Sequence, residues 1–509
     1  MALSINDIWL LSPEIALTGL ALLVVALDLI VKRRALISIV SVLGLIVPAV
    51  FVTLIAVQAN RPLGGFYGML RVDNYALFFD YLFLLIGAGV VLVSYDYVRL
   101  YMKNVGEFYA LILFSLVGAM FMASSSELIT IYIALELTSF PLYVLAGMLR
   151  NNVPGDPTSA GRSSEAAIKY VLLGAMSSAI LLYGMALLYG VTGSTDLHEI
   201  AVALQTGFAG GPNSLILLVA DVFIFAGFGF KISAVPFHMW APDIYQGAPT
   251  PGTLFFSVAS KTAGFAALIR VFVDGGLIQT SSVYLWGLIG VAAVLSMTLG
   301  NVVAIAQTDI KRMMAYSSIA QAGYILVGFA ALAFGPSNAA TSGSAAILVF
   351  LAVYVITNIG AFAGIIALAN ATGGERVRDF DGLVRRSPAL ALGLSVCLLS
   401  LAGLPPLAGA VSKIVIFIAA WQEGGLLPWL VIIALINSVI SIAYYVGVVY
   451  RIYVAPPPRE DRLRVSPSIS VALGISVVAI LAMTVFIQPL LNAGGIGAHD
   501  LFGFLGLAK

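Results

Sequence analysis

Five ionisable side chains stand inside apolar runs of this sequence: Glu136 in LITIYIALELTSFPLYVLAG, Lys169 in SSEAAIKYVLLG, Lys231 at the head of KISAVPFHMWAPDIYQGAPTP, Lys261 in LFFSVASKTAGFAAL and Lys413 in LPPLAGAVSKIVIF. A charge at bilayer depth costs about 3 kcal/mol or more, so such groups pair with one another or line a polar path. Carboxyl and ammonium groups exchange protons, and a desolvated ammonium with no carboxylate beside it gives up its proton more readily than one in water. The chemistry that suits these residue types is carriage of protons through a membrane.

Each residue also has a structural reading. Glu136 lies about halfway along its run and must be neutral or paired; Lys231, expected at similar depth, is its natural partner, and the pair would serve packing equally well. Lys169 is one to two turns into its run and has the length to snorkel to the interface, whereas Lys261 is too deep for that. Lys413 has no acidic residue in its own run. His238 follows Pro236 among these lysines and reads either as a packing residue or as a proton relay titrating near neutral pH. Pro236, Pro405 and Pro406 mark helix breaks, which at membrane depth require protein or water to satisfy the freed backbone groups. Asp28, Asp80 and Asp221 read equally as solvated or structural.

Other chemistries are excluded or find no support. A single cysteine, Cys397, allows neither a disulfide nor a four-thiolate iron–sulfur cluster within the chain. Three histidines, only one of them in the charged region, argue against haem, and no metal site is expected. The glycine-rich pieces GFAGGPNS and NAGGIGAH lack phosphate-loop order and read as connections. The aromatics form no evident cofactor cage. A net charge of +1 offers no basic patch for nucleic acid.

The elements that position these residues are membrane-spanning helices. Of the 509 residues 61% are hydrophobic and the mean hydropathy is +1.05, against roughly 45–50% apolar residues in soluble domains. The expected fold is all-α and polytopic, a single transmembrane domain over 1–509. Hydrophobic runs near 9–31, 36–58, 75–98, 106–124, 127–149, 165–190, 213–240, 252–272, 281–304, 314–334, 344–370, 388–420, 429–453 and 467–490 predict about 14 transmembrane helices, each needing about 20 apolar residues. The N-terminus lacks the basic segment and cleavage site of a signal peptide.

Basic residues alternate with the spans. One side carries connections from Lys32, Arg33 and Arg34 after the first run to Arg451, Arg459, Arg462 and Arg464 after the thirteenth; the other has only Arg61, Arg71, Arg270 and Lys509. The positive-inside rule then puts both termini outside, on the periplasmic face of a bacterial inner membrane. Three N-terminal helices (1–104) precede two sets of five (105–272 and 281–453), and a last helix follows (467–490). Five is odd, so the sets would be inverted repeats, with the broken seventh and twelfth helices at equivalent places.

VPFHMWAPDIYQGAPTP followed by ASKTAGF, ELITIYIALELTSFPLYVL with EAAIKYVLLGAMSSAILLYG, and SLAGLPPLAGAVSKIVIF together resemble the signatures of the antiporter-like membrane subunits of respiratory complex I. The resemblance covers the chain from about the third span to the thirteenth. Lys413 stands where the M-type subunit usually has Glu, and residues after 490 leave no room for the extra spans and long lateral helix of the L-type. The resemblance implies a proton-translocating subunit without a redox centre, in which Glu136 and Lys231 form a charge pair that feels the neighbouring subunit. It further implies that Lys169 modulates the pair, Lys231 passes the proton to Lys261, and Lys413 is the terminal group. NAD, FMN, iron–sulfur clusters and quinone would belong to partner subunits; the expected neighbours are another antiporter-like subunit and small membrane subunits. A subunit of a multisubunit Na+/H+ antiporter and a non-transporting membrane scaffold are the alternatives, and the electron donor is left open between NADH and ferredoxin.

Overall fold

A computed structural model of the chain describes residues 5–31, 34–58, 63–153, 156–207, 213–280, 283–332, 337–458 and 461–503. Of the basic residues counted above, Lys32, Arg33, Arg61, Arg459 and Lys509 lie outside the described residues. The long helices are Ser12–Ile30 (α1), Arg34–Gln58 (α2), Asn74–Tyr101 (α3), Val105–Ser124 (α4), Leu128–Ala146 (α5), Ser159–Thr192 (α6) and Asn213–Ile232 (α7). They continue with Thr250–Asp274 (α8), Val283–Ile305 (α9), Ile310–Ala331 (α10), Ser337–Thr372 (α11), the two halves Pro388–Ala402 and Ala408–Gln422 of α12, Leu427–Tyr453 (α13), Pro467–Val485 (α14) and Ile487–Gly503 (α15). Counting α12 once, α1 to α14 provide the expected fourteen crossings. Between α2 and α3 lies an antiparallel hairpin, β1 (Leu63–Gly65) and β2 (Leu70–Val72), with Leu63 opposite Val72.

Helix starts follow local chemistry. The side chains of Asp73, Glu127, Asp309 and Ser466 accept from the backbone N–H three residues on, capping α3, α5, α10 and α14. The two spans with the lowest hydropathy, α8 and α10, are among the most buried, and α11 lies beside them; α1, α2 and α14 keep most of their surface outward. Polar residues are thus concentrated in the helices that lipid does not touch. Among the described residues, Arg34, Arg99, Lys311 and Arg451 mark one end of the bundle, the basic face; the hairpin and α15 lie at the opposite face.

Two expectations about the helices need correction. The seventh helix does not run through 213–240: it stops at Ile232, turns at Ser233 (φ 60°), and resumes only as the short helix Trp240–Gly247. A short helix, Leu197–Gly207, occupies part of the connection before α7. NAGGIGAH is not a connection but part of α15. Its glycines serve close packing, since a Cβ at Gly494 would lie 3.0 Å from Ala345 O in α11 and one at Gly497 would lie 3.4 Å from Asn74 O at the start of α3. At 17 residues α15 is too short to span comfortably, and it lies against those helix ends instead.

Arg71 and Arg270, read from sequence as ordinary connection charges, are buried in one cluster at that face. Arg270 is fully enclosed; its Nη1 reaches Asp73 Oδ2 at 2.7 Å and Asp274 Oδ2 at 3.1 Å, and its Nη2 donates to Ala123 O at 2.7 Å. Arg71 adds contacts of 3.1 Å to Asp73 and 3.2 Å to Asp274 and donates to Asp500 O of α15. Asn74 holds the Asp500 carboxylate through its backbone N–H and its side-chain amide. Burial opposes ionisation of Asp73, but Arg270 and Arg71 outweigh it and hold the carboxyl below its ordinary range. The stability this carboxylate contributes is therefore present above about pH 4 and is lost as the pH falls through the lowered value. Replacing Arg270 by Leu leaves Asp73 and Asp274 enclosed without their main partner and is expected to cost about 3–5 kcal/mol. The readout is the amount of folded chain in membranes and its melting temperature, and wild-type values for both would contradict the assignment.

Candidate functional site: a line of buried lysines

The break in α7 creates the first station. Lys231 is in the last turn of α7, where the negative end of the helix dipole favours a cation. Its Nζ donates to Ser139 Oγ on α5, which lies one turn beyond Glu136. Glu136 and Lys231 form no direct ion pair; Glu136 Oε1 is enclosed without a hydrogen-bond partner, and Ser139 contacts the lysine in its place. The break itself is closed by Trp240, whose Nε1 donates to Phe230 O at 2.8 Å and whose ring stacks on Tyr170 at 4.8 Å. Val235 N donates to Ser296 Oγ at 2.9 Å, so the freed backbone finds partners within the protein.

The second station is one helix away. A Cβ at Gly264 would lie 3.1 Å from Lys231 Cβ, so α7 and α8 touch there, and Lys261 is three residues, about one turn, from that glycine. A π-helical turn, Phe256–Ser260, immediately precedes Lys261; such turns recur at functional sites. Lys261 is 2% exposed. Its Nζ donates to Ser318 O of α10 at 2.6 Å. Ser318 Oγ lies 2.7 Å from Tyr354 OH, and that hydroxyl donates to Ser257 O, one turn before Lys261, at 3.2 Å.

The third station lies at the break of α12. Pro388–Ala402 ends on Gly403 in the left-handed conformation, which leaves the Ala402 carbonyl without a helical partner. Lys413 fills that vacancy, with Nζ donating to Ala402 O at 3.0 Å and to Ser438 Oγ at 3.1 Å and sitting 4.5 Å from the Tyr324 ring centre. A Cβ at Gly403 would come within 2.9 Å of the lysine stem, so glycine is needed there for space as well as for φ. A crevice of about 10 Å³ lined by Gln321, Tyr354, Ser412 and Lys413 adjoins it, about the volume that one water requires. Tyr354 thus borders both the Ser318 that receives Lys261 and the crevice that reaches Lys413.

Lys169 does not join this line. Its side chain is 41% exposed and pairs with Glu165 at 2.7 Å and Asp243 at 2.8 Å, and Asp243 in turn takes Arg312 at 2.7 Å. Lys169, Glu165 and Asp243 line a small pocket of about 90 Å³; its Arg162 and Gln246 also line a larger polar cavity of about 550 Å³ at the basic face, together with Asp309, Lys311 and Glu375. Lys311, a basic residue beside a connection at this face, is 2% exposed, bonds Glu375 at 2.7 Å and donates to Ala248 O. Thr250 Oγ1 donates to the same carboxylate. His238 is half-buried with its Nδ1 unpartnered, on a stretch whose neighbours Pro236 and Met239 face outward. The breaks at Pro236 and at Pro405–Pro406 each contain a cis X–Pro bond.

Sequence reasoning missed Ser139, Ser318, Tyr354 and the Lys311–Glu375 pair. The spacing of Ser139 from Glu136 puts the two on neighbouring positions of one helix face, which is a legible signal. Ser318 acts through its carbonyl, which no sequence pattern marks.

Three buried lysines, two of them at helix breaks, within fourteen crossings fit a membrane subunit of the antiporter-like class. Residues 125–441 match the family described as NADH:quinone oxidoreductase/Mrp antiporter, TM. The NADH-quinone oxidoreductase subunit N of Dehalococcoides mccartyi is 41% identical over 95% of this chain and 97% of its own length. The NAD(P)H-quinone oxidoreductase subunit 2 of Thermosynechococcus vestitus is 42% identical over 97% of this chain and 92% of its own. Among solved structures, a chain of respiratory complex I from Thermus thermophilus superposes with a TM-score of 0.75 at 31% identity, covering 94% of this chain and 98% of that one. The chain belongs to the subunit N family of NADH-quinone oxidoreductases.

Replacing Tyr354 by Phe keeps the ring and removes the one hydroxyl shared between Ser318 and the crevice at Lys413. The expected outcome is a several-fold loss of ion translocation by the assembled complex with normal chain abundance. Translocation at the wild-type rate would show that the hydroxyl is dispensable.

Proposed function

We propose that this chain is a proton-translocating membrane subunit of a quinone-reducing complex, moving protons through Lys231, Lys261 and Lys413 under the control of Glu136. The observation that carries the reading is the arrangement of the three lysines between two broken helices, each ammonium held by oxygens of a neighbouring helix or a freed carbonyl. The proton enters from the polar cavity near Lys311 and Glu375, Lys261 is the central carrier, and Lys413 is the last group before the outlet. Lys169, tied to Asp243, tunes the entrance rather than the Glu136–Lys231 couple. His238 lies off the line and serves as a side relay at most.

The basic face is cytoplasmic and both termini lie on the periplasmic side of the cell membrane, in agreement with the positive-inside rule. Spans α4 to α8 and α9 to α13 act as two inverted repeats, with α1 to α3 as an N-terminal unit and α14 as a closing helix. Quinone, flavin and iron–sulfur clusters belong to partner subunits. A neighbouring antiporter-like subunit meets the face of α5 that carries the outward side chains Ile129, Ile133, Leu137 and Phe140 beside Glu136. The family description also covers exchangers of the Mrp type, but the identity of 41–42% to quinone oxidoreductase subunits over nearly the whole chain favours the redox-coupled complex.

The coupling is electrostatic. Moving one charge against a membrane potential costs about 2.3 kcal/mol per 100 mV, and a shift of one pKa unit is worth about 1.4 kcal/mol. Several carriers must therefore shift in sequence, which is what a row of lysines provides. Replacing Lys231 or Lys413 by Met is expected to leave the complex assembled while abolishing most proton pumping, read as acidification by inverted membrane vesicles during quinone reduction. Assembly with full pumping would remove the proton-path reading, and purification with exchanger partners and Na+-stimulated transport would remove the redox-coupled one.

A further inference from the structure

Hydroxyl and amide groups between α9, α10 and α13 form a hydrogen-bonded line that the lysine relay does not use. At the basic face a polar cavity of about 700 Å³ has Ala304, Asp309, Arg376, Tyr444 and Arg451 in its lining. Of these, Tyr444 donates through its hydroxyl to Asn301 Oδ1 at 3.1 Å. Asn301, fully enclosed one turn before Ala304, donates through Nδ2 to Tyr324 OH and to the backbone carbonyl of Asn437, each at 3.0 Å. The Tyr324 ring centre lies 4.5 Å from Lys413 Nζ, so a proton that passed Asn301 would arrive beside that lysine. A carbonyl can only accept, so the contact with Asn437 O fixes which end of the Asn301 amide is the donor. The Asn437 side chain closes the same layer, donating to Thr298 Oγ1 at 3.2 Å and to Ile433 O at 3.0 Å.

We propose that Asn301 is a proton barrier, which keeps the basic-face cavity from loading Lys413 directly. A hydroxyl, a water or a carboxyl can take a proton on one lone pair and release another. A side-chain amide cannot do so without becoming its imidic tautomer, because its N–H does not ionise and its carbonyl oxygen is hardly basic. Both N–H groups of Asn301 are committed, its oxygen is capped by Tyr444, and the residue is enclosed, so the amide makes these contacts with protein in place of water. The need for a barrier rests on the reading of Lys413 as the last carrier. An inlet at that point would join the cavity to the outlet without passing Lys231 and Lys261, and protons would flow back without doing work. Asn301 thus acts through the path it closes, whereas the lysines act by carrying charge.

The test uses the complete assembled complex in proteoliposomes. Passive decay of an imposed pH gradient is followed with a trapped fluorescent dye in the absence of electron donor, and pumping is followed separately during quinone reduction. Asn301→Asp keeps the shape and puts a relaying carboxyl in the line. It is expected to make the gradient decay several times faster than in wild type, and to lower the gradient reached during turnover while quinone reduction continues. Adding Lys413→Met is expected to restore the slow decay. Tyr444→Phe, which removes the hydroxyl on the cavity side, is expected to pump like wild type. Asn301→Ser, a smaller relaying hydroxyl with room for water, reports the same leak if Asn301→Asp fails to assemble. A tight membrane in the assembled Asn301 variant, a leak that survives Lys413→Met, or a loss of pumping in Tyr444→Phe would each overturn the proposal, the last by showing that the line conducts. Full pumping by Lys413→Met alone would remove the reading on which the barrier rests; no pumping there, with Asn301→Asp still tight, would remove the barrier alone.

Discussion

An ammonium group can stay in the interior of a membrane bundle only if oxygen atoms surround its nitrogen, and most of this architecture follows from supplying them. Helices hold their carbonyls in internal hydrogen bonds, so an intact helix has few oxygens to spare. The break of α12 frees the carbonyl of Ala402 for Lys413. The break of α7 places Lys231 at a helix end and within reach of a serine on α5. Lys261 lies on a continuous helix and draws on Ser318 O of the neighbouring α10, just after a local widening of its own helix. The prolines, the left-handed Gly403 and the close contact at Gly264 are parts of this one solution.

The same constraint decides how much was legible in the sequence. The spans could be read because each is a long apolar run, and α12 could be read as broken because two adjacent prolines interrupt one. The three deep lysines stood out because each is the single lysine of a long apolar run. Their partners did not, because a serine, a tyrosine or a backbone carbonyl is ordinary in any helix and gains meaning only from the neighbour packed against it. Glu136 and Lys231 illustrate the limit: depth along the sequence placed them at one level, but rotation about the helix axes puts Ser139 at the lysine.

Charges near span ends were the least legible. Arg270, Arg71 and Lys311 have the same sequence surroundings as a solvated connection residue, yet they are among the most enclosed cations of the molecule. Arg71 and Arg270 each have one carboxylate close by in sequence, Asp73 and Asp274, but the pairings of Arg270 with Asp73, Arg71 with Asp274 and Lys311 with Glu375 join distant parts of the chain, about which position along the chain says nothing. The glycines of α15 misled for a related reason, because glycine marks a turn when it is exposed and a close crossing when another backbone lies against it.

The cluster around Arg270 has a mechanical meaning. It ties the hairpin and the start of α3 to the end of α8, and through Asp500 to α15, which rests on α11. All three parts of the chain are thereby clamped together at one end of the bundle, while the other end contains the large polar cavity and a looser set of surface ion pairs. The chain is thus tied at the Arg270 end by fully enclosed charges, whereas the ion pairs of Lys169 and Asp243 at the basic face reach the surface.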